Sequence, residues 1–248
     1  MSGIFVTGTD TGVGKTFVAA AILKASRDRA VDAVPMKPVQ TGAEKRGKTL
    51  IAPDLEYCLA AAGLQPNADE RRLMVPYLYE PACSPHLAGR MAGRYADISV
   101  IQQNAKALLR RRQALVIEGA GGIMVPLNEK ETTLDLMKNL GYPVILVSRI
   151  GLGAINHALL SINTLNTAGL RLLGVVFNQA EPPLPENRFI EEDNPRAVAE
   201  FGKVSILGNI GYLEKTLAPA EMWQRFTQAM PGLEEIGKAM EMGPWTKR

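Results

Sequence analysis

The chain has 248 residues, of which 46% are hydrophobic and 21% charged, and its formal net charge is +3. These proportions are typical of a globular protein with a large core and exclude disordered and fibrous classes. The sequence has neither an apolar run near the 18 or so residues of a membrane helix nor a signal-peptide pattern, so we expect a cytoplasmic protein without a membrane partner. Because the composition does not shift along the chain, we expect one domain over residues 1–248, with a frayed tail from about residue 240.

Short apolar runs alternate with longer amphipathic stretches along the sequence. This alternation predicts an α/β fold with a mostly parallel sheet and helices on both faces. The predicted strands are Ile4 to Thr7, Ala33 to Met36, Ala114 to Glu118, Val144 to Ser148, Leu173 to Asn178 and Ser205 to Ile210. The predicted helices are Lys15 to Arg27, Leu55 to Ala62, Val100 to Arg110, Leu134 to Leu140, Ala154 to Ala168, Pro195 to Phe201 and Pro219 to Ala229. We expect irregular loops at Thr41 to Pro53 and Glu181 to Asn187.

The first predicted strand runs into a glycine loop that opens a predicted helix. The loop reads Gly8-Thr9-Asp10-Thr11-Gly12-Val13-Gly14-Lys15-Thr16. Strand, glycine loop and helix occur in the order of a phosphate-binding loop, in which backbone N–H groups, the helix N-terminus and a lysine hold phosphate. Five residues separate Gly8 from Gly14, one more than in the usual pattern. The sequence therefore predicts binding of a nucleoside triphosphate with magnesium, and a plain glycine-rich turn is the structural alternative.

Charged side chains follow two other predicted strands. Lys37 comes after the second strand, and Glu118 ends the third, before Gly119-Ala120-Gly121-Gly122. A cation at this sheet edge could meet phosphate, and a carboxylate opposite a phosphate loop is a natural magnesium ligand. Asp54 could either cap the helix that it precedes or join Thr16 and Glu118 on the metal.

Further turns are ambiguous from the residues alone. Gly151 to His157 opens an apolar helix, so its free N–H groups could bind a carboxylate, or it could be an ordinary turn. Asn178 could read a nucleotide base or cap a turn. Cys58 and Cys83 lack metal-site spacing and are interpreted as packing residues. The cluster Arg110 to Arg112 has no aromatic residues interleaved, so we interpret it as a solvated helix end and expect no nucleic-acid partner.

Six segments together resemble the dethiobiotin synthetase family, which has a P-loop NTPase-like fold. They are Thr7 to Thr16, Lys37-Pro38-Val39, Thr41-Gly42, Ser84-Pro85-His86, Glu118 to Gly122 and Ile155-Asn156-His157. The longer phosphate loop is the form that this family uses. The resemblance implies a magnesium-dependent ligase in which ATP, CO2 and 7,8-diaminononanoate give dethiobiotin, ADP and phosphate, through a carbamate and a carbamic-phosphoric anhydride.

The resemblance also implies roles for particular positions. Lys15 and Lys37 would contact the γ-phosphate as the catalytic cations, and Thr16, Asp54 and Glu118 would hold magnesium. The implied nucleotide contacts are Gly12, Val13, Gly14, Lys15, Thr16, Phe17, Asp54, Glu118, Gly119, Ala120, Gly121, Asn178, Gln179, Gly202, Lys203, Val204 and Asn209. The implied substrate contacts are Thr41, Gly151, Leu152, Gly153 and Asn156. The family functions as homodimers, with the substrate carboxylate at a helix N-terminus near the subunit interface.

This sequence departs from some family members at two positions. Gly12 stands where some carry Glu, and Asn194 stands where some carry a Tyr that reaches the partner's substrate. Two other classes of protein are alternatives to this family. A related amidotransferase would need a glutaminase domain with a cysteine nucleophile, and no cysteine follows residue 215. A partition or positioning ATPase usually has a lysine early in the phosphate loop, where this chain has Thr9-Asp10-Thr11.

Overall fold

The computed structural model describes residues 2–47, 49–183, 185–214 and 217–241. The strands are β1 (Ser2–Gly8), β2 (Ala33–Met36), β3 (Val39–Gln40), β4 (Glu44–Arg46), β5 (Thr49–Ile51), β6 (Tyr77–Leu78), β7 (Ala114–Glu118), β8 (Val144–Ser148), β9 (Leu172–Asn178) and β10 (Ile206–Ile210). The helices are α1 (Lys15–Asp28), α2 (Pro53–Ala61), α3 (Ala68–Met74), α4 (Pro85–Met91), α5 (Ile98–Leu109), α6 (Thr133–Leu140), α7 (Ala154–Thr167), α8 (Arg188–Gly202), α9 (Pro219–Ala229) and α10 (Leu233–Glu241).

A six-stranded sheet, with every neighbouring pair parallel, forms the centre of the fold. Its strand order is β10-β9-β8-β1-β7-β2. Because parallel strands end at the same edge, this order brings the segments after β1, β2, β7, β8 and β9 to one side of the molecule. The α/β fold with a parallel sheet is therefore confirmed, and the sheet edge that carries the predicted motifs is its carboxyl edge.

Both faces of the sheet are buried under helices. Along β1, Phe5 packs in one hydrophobic core while Ile4 and Val6 pack in the other. This alternation follows from the two-residue period of a strand. The strand positions on both faces are apolar because helices cover both sides, as the uninterrupted apolar runs predicted. Among the described residues, no helix is both long and apolar enough to cross a membrane.

All six predicted strands of the central sheet are confirmed, but two other predictions need correction. The segment Thr41 to Pro53 is not a plain loop, because β4 and β5 pair there as an antiparallel hairpin. The helix predicted from Pro195 begins seven residues earlier, at Arg188, and continues through that proline. Asn194 and Val198 are buried on either side of Pro195, and packing of α8 against α7 outweighs the local penalty of the proline.

The structure also differs from the predictions in three helices, in the C-terminal tail and at Arg112. Helices α3, α4 and α10 were not predicted. Met240 is buried within α10 instead of lying in a frayed tail, and the rest of the predicted tail, residues 242–248, lies outside the described residues. Arg112 is not simply solvated, because it donates to Glu70 at 2.7 Å and forms an ion pair with Asp32 at 3.3 Å.

Candidate active site

The phosphate loop joins β1 to α1 in the predicted order. Gly14 occupies the N-cap of α1 with φ 94°, a left-handed conformation that favours glycine. A Cβ at this position would lie 2.1 Å from Asn178 Nδ2. The Lys15 ammonium folds back over the loop and donates to the backbone oxygen of Asp10 at 2.7 Å. The loop thus presents both a helix N-terminus and a cation to the space above the sheet.

Lys37 lies at the centre of a buried ionic network. Its Nζ lies 2.7 Å from Asp54 Oδ2 and 2.7 Å from Glu118 Oε1. Thr16 Oγ1 donates to the same Glu118 oxygen at 2.8 Å. The structure therefore brings together four predicted residues from β7, α1, α2 and the segment after β2. Asp54 is not the N-cap of α2, which is Ala52; its carboxylate instead faces Lys37.

Burial and charge shift the pKa values of this network. Burial lowers the pKa of Lys15 to about 8, and the nearby Lys37 ammonium adds to that effect. Burial also opposes the charge on Lys37, but the carboxylates of Glu118 and Asp54 outweigh it and raise the pKa of Lys37 above its ordinary value. Burial raises the pKa of Glu118, an effect that the Lys37 ammonium opposes. Lys37 therefore holds its proton more tightly than Lys15 does.

A cavity of about 730 Å³ opens beside this network. Its floor is the phosphate loop and the Lys37 network, and its far wall is formed by the segment after β3 and the start of α4. The residues that line it are Thr11, Gly12, Gly14, Lys15, Thr16, Lys37, Val39, Gln40, Thr41, Gly42, Pro53, Asp54, Ala82, Cys83, Ser84, Pro85, Glu118, Ala120, Gly121 and Val125. Thr41 thus lies on the same cavity as both predicted catalytic lysines.

Sequence reasoning missed one polar residue of this cavity. Gln40 is only 4% exposed, its Nε2 donates to the Thr41 oxygen at 2.9 Å, and its Oε1 has no hydrogen-bond partner among the described residues. The signal was available, because Gln40 stands between Lys37-Pro38-Val39 and Thr41-Gly42, two segments already singled out. Cys83 also lines the cavity, whereas Cys58 is buried as a packing residue.

The turn before α7 lies on a second, smaller cavity. This space of about 400 Å³ is lined by Asp10 to Val13, Arg149 to Leu152, Asn178 to Pro182 and Glu191. Gly153 is the N-cap of α7, and Asn156 is exposed on the first turn of that helix. The structure therefore does not place Gly151 to Asn156 on the cavity that holds Lys37 and Thr41.

The predicted base contacts divide into two groups. Asn178 ends β9 and Gln179 follows it at the carboxyl edge. Asn178 Nδ2 donates to the Val13 oxygen at 3.0 Å, and Gln179 Nε2 donates to Glu191 at 2.8 Å. The turn Gly202-Lys203-Val204 joins α8 to the start of β10, so it lies at the opposite edge of the sheet from the phosphate loop.

The prediction for Gly202, Lys203 and Val204 as nucleotide contacts is therefore wrong. Asn209 is exposed on the edge strand β10 and lines neither cavity. The segment at the correct edge is the one that follows β10, since Ile210 accepts a hydrogen bond from the Gln179 N–H at 2.9 Å. The general rule that ligands bind beyond the carboxyl ends of parallel strands could have identified residues 211–214 instead.

Comparison with known proteins adds three findings. The profile of a family described as an AAA domain matches residues 2–220. The ATP-dependent dethiobiotin synthetase BioD of Anaeromyxobacter sp. (strain Fw109-5) is 40% identical over 75% of this chain and 82% of its own length, and that of Anoxybacillus flavithermus is 34% identical over 91% and 98%. The MinC:MinD cell division protein complex of Aquifex aeolicus superposes with a TM-score of 0.56 at 14% identity, covering 100% of this chain and 99% of the other, a likeness of fold alone.

Proposed function

The chain belongs to the ATP-dependent dethiobiotin synthetase family, and from that premise we propose that it closes a cyclic urea on a diamine. One amine of 7,8-diaminononanoate takes up CO2 and loses a proton to give a carbamate. A carbamate oxygen attacks the γ-phosphorus of ATP and displaces ADP. The second amine then attacks the carbonyl carbon of the mixed anhydride and displaces phosphate, which yields dethiobiotin. The observation that carries this proposal is the single cavity shared by the phosphate loop, Lys37 and Thr41.

The two lysines would act on the charge that develops during phosphoryl transfer. The substrate supplies its own nucleophile, so the protein mainly has to position reactants and stabilise phosphoryl oxygens. Lys15 lies on the loop that would hold the β- and γ-phosphates. Lys37 approaches from the segment after β2, and its raised pKa keeps it protonated. Lys37 would therefore meet both the γ-phosphate and the carbamate oxygens.

Thr16, Asp54 and Glu118 would hold Mg²⁺, which stabilises phosphate charge when bound. The donor set fits this ion, because one hydroxyl and two carboxylate oxygens are hard ligands on three different elements. Among the described residues there is no group of three or more His, Cys, Asp or Glu suited to a metal. In addition, the ammonium groups of Lys15 and Lys37 are balanced by the carboxylates of Asp54 and Glu118. These four side chains together therefore carry no net positive charge that could offset the negative charge of a triphosphate.

The substrate would span from Thr41 to the turn before α7. The Thr41 hydroxyl would hydrogen-bond the diamine end, and the N–H groups of Gly151 to Asn156 would receive the carboxylate. These two places line different cavities within one chain. We propose that a homodimer brings the α7 turn of one subunit to the Thr41 cavity of the other. Asn178 and Gln179, at the edge of the smaller cavity, would face the nucleotide base.

The experiment that tests this proposal measures ADP release by the purified protein with Mg²⁺. We expect release that requires both the diamine and bicarbonate and that yields dethiobiotin by mass spectrometry. Lys37→Ala should lower turnover by at least about 100-fold while ATP affinity changes little, because the ammonium acts most strongly in the transition state. Lys106→Ala, a change of an exposed lysine on α5, serves as the matched control.

Two outcomes would contradict the proposal. Hydrolysis that is indifferent to the diamine but stimulated by DNA or lipid vesicles would favour a nucleotide-switched positioning ATPase. An equal loss of ATP binding and turnover in Lys37→Ala would remove the specific role assigned to that ammonium.

A further inference from the structure

Gln40 has a buried amide oxygen that no hydrogen bond satisfies. The residue is 4% exposed, and its Nε2 donates to the Thr41 backbone oxygen at 2.9 Å, which sets the orientation of the amide. Five buried side-chain polar atoms lack a partner among the described residues, and Gln40 Oε1 is the one whose residue lines the cavity of about 730 Å³. Because a buried acceptor without a donor is unfavourable, a ligand that supplies an N–H to it gains free energy on binding.

The backbone around this amide is fixed by the pairing of β3 with β6. The Gln40 backbone oxygen accepts a hydrogen bond from the Tyr79 N–H at 2.8 Å, and the Gly42 N–H donates to the Pro81 oxygen at 3.1 Å. The Gln40 side chain therefore projects from a wall that is bonded to its neighbour on both sides of Thr41. An acceptor on a preorganised wall costs less conformational entropy to use than one on a free loop.

Of the three reactants, the diamine is the one that can supply the missing N–H at this wall. CO2 has no hydrogen atom, and the phosphate groups of ATP present acceptor oxygens. The ribose and base of ATP do carry donors, but we assign them to the smaller cavity beside Asn178 and Gln179. The substrate diamine, by contrast, belongs to the cavity that Gln40 and Thr41 share, and each of its amines is a hydrogen-bond donor.

We propose that Gln40 is a further substrate-binding residue, and that its Oε1 accepts an N–H from one amine of the diamine. This inference rests on the proposed function and deepens it. Both amines react as neutral nucleophiles, one with CO2 and the other with the anhydride carbonyl. An uncharged amide oxygen accepts an N–H without favouring the ammonium form, whereas a carboxylate in its place would raise the pKa of the amine. Since Oε1 is shielded from water, a turn about the last side-chain torsion, which is soft, brings it to the amine.

The test measures how single-amine analogues bind to variants of position 40. 7-Aminononanoate and 8-aminononanoate each keep the chain and carboxylate of the substrate but lack one amine. Gln40→Met removes the amide at similar volume. We expect this variant to weaken the diamine and one analogue about tenfold in calorimetry, the effect of one hydrogen bond, while the analogue that lacks the held amine binds as it does to wild type. Gln103→Met, a change of an exposed glutamine on α5, is the matched control, and circular dichroism checks the fold of each variant.

A second variant separates the acceptor from the bond to Thr41. Gln40→Glu keeps an acceptor oxygen but loses the Nε2 donor and gains a negative charge. The other charged side chains of the cavity are the same in all variants, namely Lys15, Lys37, Asp54 and Glu118. We expect Gln40→Glu to discriminate between the two analogues as wild type does, and to move the acid limb of the kcat profile upward by about one pH unit, because the added carboxylate favours the ammonium form.

Several outcomes would overturn this role. Equal weakening of both analogues in Gln40→Met would assign the amide to the fold of the wall, and unchanged binding of both would remove the contact. An unmoved acid limb in Gln40→Glu would also contradict it, and a selective loss of ATP affinity would show that the nucleotide supplies the donor. A wild-type protein without diamine-dependent ADP release would overturn the proposed function itself, whereas an active wild type with unaffected variants would overturn the role of Gln40 alone.

Discussion

Replacement of Lys15 by methionine should stabilise the nucleotide-free protein while it abolishes phosphate binding. Burial lowers the pKa of Lys15 from 10.5 to about 8, and each unit of pKa corresponds to about 1.36 kcal/mol. Holding this ammonium in the folded state therefore costs about 3 kcal/mol at pH 7. The hydrogen bond from Lys15 Nζ to the Asp10 oxygen would return about 1 kcal/mol of that cost. The expected net gain for Lys15→Met is about 2 kcal/mol at pH 7.

The pH dependence of this gain has a definite sign. Below pH 8 the lysine is protonated in both states, so the full cost is present. Between pH 8 and 10.5 the unfolded chain binds more protons than the folded chain, so wild-type stability rises with pH. Lys15→Met lacks this contribution, and its advantage over wild type should shrink by about 2 kcal/mol between pH 7 and pH 9.5.

The assay is urea unfolding of wild type and variant at both pH values, without nucleotide or magnesium. Lys106→Met is the matched control, since this lysine is exposed on α5. A Lys15→Met variant that is no more stable than wild type at pH 7, or whose advantage does not shrink at pH 9.5, would refute the reasoning. ATP binding should be lost in either case, because the loop lacks its full positive charge.

Three further substitutions test the loop and the network around Lys37. Gly14→Ala should weaken ATP binding by at least about 100-fold in calorimetry and lower the free energy of unfolding by about 1–3 kcal/mol. The cause is the backbone φ of 94° at this position together with a clash between the new Cβ and Asn178 Nδ2. A near-normal ATP affinity would contradict this prediction. Asn178→Ala should change the relative use of ATP and CTP by about fivefold, equivalent to one hydrogen bond of about 1 kcal/mol, because this side chain lies on the cavity proposed for the nucleotide base; an unaltered ratio would remove that assignment. Asp54→Asn should raise the Mg²⁺ concentration for half-maximal turnover about tenfold, or about 1.4 kcal/mol, and an unchanged requirement would remove Asp54 from the metal site.

Features with a strict local pattern were predictable from the sequence. A buried parallel strand requires an unbroken apolar run, so the six strands of the central sheet were found, and with them the edge at which Lys37 and Glu118 emerge. The phosphate loop was found because close approach of backbone to phosphate requires glycines at fixed places. The role of Asp54 was open on the residues alone, since a carboxylate near the start of a helix serves equally well as a cap or as a metal ligand. The structure gives the N-cap to Ala52 and sets the Asp54 carboxylate against Lys37, and its role as a metal ligand stays a prediction.

Other features depend on contacts that no local pattern encodes. A proline is favoured in the first turn of a helix, so Pro195 predicts a helix start at that position. However, α8 continues through Pro195, because Asn194 and Val198 are buried on the side that faces α7. The turn Gly202 to Val204 was predicted to contact the nucleotide only because of its position along the chain in the family resemblance. Since β10 runs parallel to β9, the turn that precedes β10 lies at the edge of the sheet opposite the phosphate loop. The Asn194 amide donates to the backbone oxygens of Ile150 and Gly151, which lie 44 and 43 residues earlier in the chain. Such long-range contacts are set by the topology of the whole sheet.

The extra residue of the phosphate loop has a structural consequence at the boundary between the two cavities. Thr11 and Gly12 line both the cavity that contains Lys15 and Lys37 and the one beside Gly151. Asp10 fixes this wall, because its carboxylate accepts a hydrogen bond from the Thr11 N–H at 2.7 Å and its backbone oxygen accepts one from Lys15 Nζ at 2.7 Å. The segment that separates the cavities therefore also orients the Lys15 ammonium. A loop shorter by one residue would change both properties at once, so its length couples the wall between the two cavities to the position of Lys15.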